Sequence, residues 1–135
     1  MIKRLRITIP LHPRTKKNSS RIVTNKKTGK PFLIPSKEYK EYEADVGFII
    51  NASSGRGLKI DYPVNVQCIF YRKDHRRCDL PNLLNAIDDI LVHCEVLADD
   101  NFNIIAGHDG SRVRVDKENP RTEICIEAIE KPEEW

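Results

Sequence analysis

The segment from Asp79 to about His93 constrains this chain more than any other stretch. Leu80, Leu83, Leu84, Ile87 and Leu91 recur at spacings of three and four, while Asn82, Asn85 and Asp89 recur at the same spacings on the opposite side. The pattern predicts a helix with one core face and one face that presents two amides and a carboxylate. Pro81 suits its first turn, where a missing N–H does no harm. Just upstream, Val64 to Tyr71 is rich in β-branched and aromatic residues and reads as a strand, followed by a charged loop from Arg72 to Arg77.

The other elements follow from the same periodicities. Arg4 to Ile9 alternates polar and apolar as a half-buried strand does, and Pro10 ends it. Residues 11–35 form a basic loop and hairpin: Leu11 to Ser20 is proline-containing and basic, and Arg21–Thr24 and Pro31–Ile34 flank a turn that Gly29 suits. Ser36 is a helix N-cap with Glu38 in the first turn, and Tyr39, Tyr42, Val46 and Ile49 then carry a helix to about Asn51. Ser53 to Gly57 breaks it. After the second helix, Asp99-Asp100-Asn101 is a polar turn before Phe102–Ala106, while Arg112–Val115 and Glu123–Ile129 alternate like an antiparallel pair. Residues 131–135 read as a tail. The expected fold class is α+β: one domain over 1–135, a mixed sheet packed against two helices.

A chain of 135 residues buries a core without disulfides or a structural metal. No run of about eighteen apolar residues exists, and Met1-Ile2-Lys3-Arg4 opens a strand, not a signal peptide, so the expectation is a soluble, cytoplasmic protein with no membrane partner. Cys68, Cys78, Cys94 and Cys125 form no CxxC pair and read as reduced thiols. A zinc site from His75, Cys78, His93 and Cys94 matches no familiar module in its spacing.

Net charge is only +3, but it is split unevenly. Residues 1–40 hold twelve Lys or Arg against Glu38 alone, a net of +11, and the remaining 95 residues hold eleven bases and nineteen acids, a net of −8. One part suits a polyanion, and the other offers carboxylates. Hydrolysis of a phosphodiester with a metal needs hard oxygen ligands, which Asp79, the Asp88-Asp89 pair and Asp99-Asp100 can supply. Each also has a purely structural reading: Asp79 as a helix cap, Asp88 and Asp89 as a solvated helix face, Asp99-Asp100-Asn101 as an ordinary turn.

The block Arg76-Arg77-Cys78-Asp79-Leu80-Pro81-Asn82-Leu83-Leu84-Asn85-Ala86-Ile87-Asp88-Asp89-Ile90-Leu91, closed by Leu97-Ala98-Asp99-Asp100, resembles the central motif of the RusA family of Holliday-junction resolvases. The resemblance extends to Ile9-Pro10, to the basic Pro13-Arg14-Thr15-Lys16-Lys17-Asn18 loop and to Asn119-Pro120-Arg121-Thr122-Glu123-Ile124. It implies Asp79 and Asp100 as metal-binding catalytic aspartates, Asp99 as their companion acid and metal ligand, Asn82 as the motif asparagine and Asp89 as the mid-helix acid. It further implies Mg²⁺, with Mn²⁺ as an alternative ion, no organic cofactor, a homodimer, four-way DNA junctions as substrate and a role in DNA recombination and repair, often in phages or prophages. Arg14, Lys16, Lys17, Asn18, Arg21, Lys26, Lys27, Lys30, Arg76 and Arg77 are the expected DNA contacts. Pro81 stands where many members carry a second aspartate and Asn85 where they carry a lysine; Asp99 or Asp89, and Arg76, Arg77 or Lys16, are the residues able to compensate. These departures keep a second reading open, a non-catalytic binder of branched DNA or RNA.

Overall fold

A computed structural model describes residues 1–16 and 20–130. Lys17, Asn18 and the tail 131–135 fall outside the described residues, as does the side chain of Arg21. The elements in chain order are β1 (Arg4–Ile9), β2 (Ser20–Thr24), β3 (Pro31–Pro35), α1 (Lys37–Asn51), β4 (Val64–Arg72), α2 (Leu80–His93), β5 (Ile105–Gly107), β6 (Arg112–Val115) and β7 (Arg121–Ala128). This is the expected α+β arrangement of a mixed sheet and two helices. Among the described residues no helix is long and apolar enough to cross a membrane.

The main sheet runs β1-β7-β4, with β5 and then β6 sharing the far edge of β4. β1–β7 and β7–β4 are antiparallel, and both β5 and β6 run parallel to β4. Residues 112–115 therefore pair with β4, not with the last strand as the alternation suggested. Period-two patterning shows that a segment is a strand but does not name its partner.

One sheet face is apolar: Leu5, Ile7 and Ile9, then Val64, Val66, Cys68 and Phe70, then Ile124 and Ile126, all buried. The helices cover it. α1 contributes Tyr39, Tyr42, Val46 and Ile50, and α2 contributes Leu83, Ala86, Ile87, Ile90 and Leu91, the stripe that helical spacing requires. Ser36 caps α1, its Oγ accepting the Tyr39 N–H at 3.2 Å. The opposite sheet face is polar and carries the Arg4–Glu127 ion pair at 2.6 Å and Arg121, which pairs with Asp116 and Glu123 and stacks 3.7 Å above the Tyr71 ring.

Between β5 and β6 the edge strand is interrupted by His108–Ser111. Side chains replace the missing ladder bonds. Ser111 Oγ accepts the Cys68 N–H at 3.0 Å, and the Asn65 amide both accepts from Asp109 N at 2.8 Å and donates to Asp109 O at 3.1 Å. Gly110 has φ +82°, a conformation that favours glycine, and a Cβ there would also displace the Gln67 amide.

Candidate functional site

The loop after β4 and the helix α2 place the acids. Asp79 is the N-cap of α2: its carbonyl accepts from Asn82 N at 3.1 Å and Leu83 N at 3.2 Å, while its carboxylate makes no capping bond. The capping role therefore belongs to the backbone, and the exposed carboxylate is left over for something else. Asn82 is half-buried, and Asn85 and Asp89 are exposed along the outer face of α2.

At the far end of α2 the chain reverses, and the Ala98 N–H donates to Ile60 O at 2.9 Å. Asp99 then winds the following turn: Oδ1 accepts Asp100 N at 2.7 Å and Oδ2 accepts the Asn101 amide at 3.0 Å. These hydrogen bonds, the Asp100 N–H first, hold the Asp99 carboxyl below the usual carboxylate range. Asn101 continues the turn, its carbonyl accepting from Ile104 N and Ile105 N at 3.0 and 2.9 Å. Both Asp99 oxygens are thus spent on the loop that presents Asp100. The Asp79 carboxylate makes no capping bond, and the Asp100 carboxyl lies within hydrogen-bonding reach of that of Asp99.

Asp89 lies in a shallow cleft between the helices, lined also by Lys16, Tyr39, Glu43 and His93. Partial burial pushes its carboxyl up, the charges of Asp100 and Asp88 add to that, and Lys16 opposes it. Asp89, Asp100 and Lys16 therefore share one neighbourhood. Asp79 does not join it. α2 has 14 residues, so its ends lie about 20 Å apart at ~1.5 Å per residue. β4 gives a second ruler. Ile104, four residues past Asp100, accepts from Val64 N at the start of β4, whereas Arg76, three residues before Asp79, accepts from the Arg72 guanidinium at its end. Among the described residues no three His, Cys, Asp or Glu side chains group as a metal would need.

The predicted cations divide the same way. Lys16 stands beside Asp89. Arg76 and Arg77 line an open cleft at the Asp79 end, and the cleft's other wall is Arg114 of β6, with Arg72 between. Arg72 and Arg114 escape the sequence reading because Arg114 reaches this place only through the parallel pairing of Tyr71 with Arg114. Arg14 is half-buried near His12, a histidine pushed down to about 4 by burial and by the charges of Arg72, Lys73 and Arg14. Lys26, Lys27 and Lys30 are exposed at the tip of the β2–β3 hairpin. That tip is wound by Asn25, whose Oδ1 accepts from Lys27 N at 2.9 Å, and by Gly29 at φ +70°.

Asp88 is not a solvated residue. It is 6 % exposed and accepts from His108 Nε2 at 2.8 Å, and this hydrogen bond raises the His108 pKa above its ordinary 6.5. The pair ties α2 to the β5–β6 interruption. A signal existed: position 88 is four residues after Leu84 and three before Leu91, within the flank of the apolar stripe.

In residue type the exposed carboxylates are those a hard divalent cation takes, with arginines beside Asp79 for phosphate oxygens, although one chain does not gather them into a single cluster among the described residues. No curated protein matches the chain. The family described as "Endodeoxyribonuclease RusA" matches residues 10–127, a span that runs from the end of β1 through both helices into β7 and takes in both acidic places and the basic hairpin. The chain belongs to the RusA family of endodeoxyribonucleases.

Proposed function

We propose that this protein is a divalent-metal-dependent endonuclease that resolves four-way DNA junctions by paired nicks, in recombination and repair. The observation that carries the reading is the family match over residues 10–127 together with two exposed carboxylates, Asp79, which makes no capping bond, and Asp100. Mg²⁺, or Mn²⁺ in its place, supplies Lewis acidity toward the scissile phosphate and its attacking water when bound. Asp79 and Asp100, which one chain sets at opposite ends of α2, are the residues that would hold it, one from each copy of the homodimer. Asp99 shapes the turn that presents Asp100, Asp89 adds negative charge beside it, and Asn82 sits one turn along α2 from Asp79. Arg76, Arg77 and Lys16 compensate for the lysine that Asn85 replaces.

Lys26, Lys27 and Lys30 on the hairpin, together with Arg14, Lys17, Asn18 and Arg21, contact the sugar–phosphate backbone and position the junction without reading bases. A homodimer with two-fold symmetry gives two active sites for two strands of like polarity.

The Pro81 and Asn85 departures favour the rival, a branched-DNA or RNA binder without catalysis. Labelled four-way junction and matched linear duplex, each with Mg²⁺ or EDTA, separate the two. Symmetric junction nicks that vanish with EDTA and in Asp79→Asn and Asp100→Asn are the expected outcome. Tight junction binding without any cut by the wild-type chain would establish the rival.

A further inference from the structure

Both helices pack on the apolar side of the sheet, and among the described residues no helix or strand covers the other side. Strand alternation and register decide what that bare face displays. Arg4 and Arg6 stand on β1, Arg112 and Arg114 on β6, and the rows between run Arg6 beside Cys125 beside Gln67, then Ile69 beside Arg112. The two borders of the face are therefore arginine. The acids lie between or beyond them and are already taken: Arg4 holds Glu127 at 2.6 Å, and Arg121 holds Glu123 at 2.7 Å and Asp116 at 2.9 Å. Arg6, Arg112 and Arg114 are exposed and, among the described residues, have no carboxylate partner.

Charged side chains on border strands also serve to repel stray strands, but that task accepts either sign. Here both borders carry arginine alone, the residue whose planar fork matches phosphate oxygens. None of the exposed large apolar side chains lies on this face, so it offers no apolar centre to a folded protein partner. Its dimensions suit a duplex. β1 and β6 are three strand spacings apart, about 14 Å at ~4.8 Å each. That is close to the roughly 12 Å that separates the two backbones across the major groove of B-DNA, whereas a single strand follows one border only. The face is also continuous with the cleft at Asp79, because Arg114 lines both.

We propose that the bare face of the sheet is a second nucleic-acid surface, separate from the hairpin, that holds both phosphate backbones of a DNA duplex, with Arg6 on one and Arg112 and Arg114 on the other. Arg114 joins this surface to the cleft of Arg72, Arg76 and Arg77. The assignment stands on the sheet and does not depend on whether the acids cut.

The test measures affinity for a linear duplex against salt, in EDTA so that no cut intervenes, for the wild-type chain and for a chain carrying Arg6→Gln and Arg112→Gln. Loss of two phosphate contacts at about 0.9 each should lower the magnitude of the slope of log affinity against log salt by about 2, and the loss should add to that caused by removing Lys26 and Lys27. A single strand of the same sequence, meeting one border, should lose roughly 0.7. A duplex slope left unchanged by both substitutions would overturn the proposal, and an equal loss on the single strand would overturn the assignment to a duplex. A second readout keeps the face intact and uses the thiol between its borders. In a Cys78→Ser chain, whose Cys68 and Cys94 are buried, saturating duplex should slow alkylation of Cys125 several-fold. An alkylation rate unmoved by saturating duplex would show that DNA binds elsewhere, and the proposal would fall.

Discussion

Asp99 and Asp100 are neighbours with different work. Both oxygens of Asp99 accept hydrogen bonds inside its own turn, so an amide in its place keeps at least the acceptor for the Asp100 N–H. Asp99→Asn is therefore expected to retain most junction cleavage, whereas Asp99→Ala, which releases the turn, should lose roughly tenfold or more through misplacement of Asp100, read as single-turnover rate. Equal loss in both would make Asp99 a ligand and not a support. Asp88 and His108 make a stability prediction. The His108 pKa is raised in the folded chain, so the pair's stabilisation is fully present below pH 6.5 and fades as pH rises through the higher folded value. His108→Ala leaves the Asp88 carboxylate buried without that donor and should cost about 2 kcal/mol in urea melts at pH 6, with a smaller penalty at pH 9.

At the scale of elements, the β2–β3 hairpin tests the phosphate-contact reading through salt. Removing Lys26 and Lys27 together should lower the magnitude of the slope of log affinity against log salt by about 2, with little preference for any junction sequence. The β5–β6 interruption tests the fold. Gly110→Ala imposes a side chain at φ +82° against the Gln67 amide and should cost ~2 kcal/mol, partly recovered by Gln67→Ala in the same chain. The helices and β1, β4 and β7 were legible in the sequence because their apolar spacings are local. The parallel seat of β6 was not, since pairing depends on which edge remains open after β7 has taken the other side of β4. With it went the cleft that joins Arg114 to Arg76 and Arg77.

For the whole molecule, the residue types of the site were legible and their distances were not. Asp79, Asp89 and Asp100 stand out as acids near one helix, but only the folded chain shows that β4 and α2 run in opposite directions, which sends Asp79 to one end and Asp100 to the other. Asp88 illustrates the converse: beside Asp89 in sequence, it is turned inward by a rotation of about 100° per residue and serves the core. The broken strand along β4 bears on how copies of the chain can meet. β5 has three residues and β6 four, with the His108–Ser111 hook between them, so that border of the sheet offers no long row of open N–H and C=O groups to a stranger. A protein gathered densely along a nucleic acid is thereby barred from growing sheet upon sheet at this border, and crowding on the polyanion does not turn into fibre formation there.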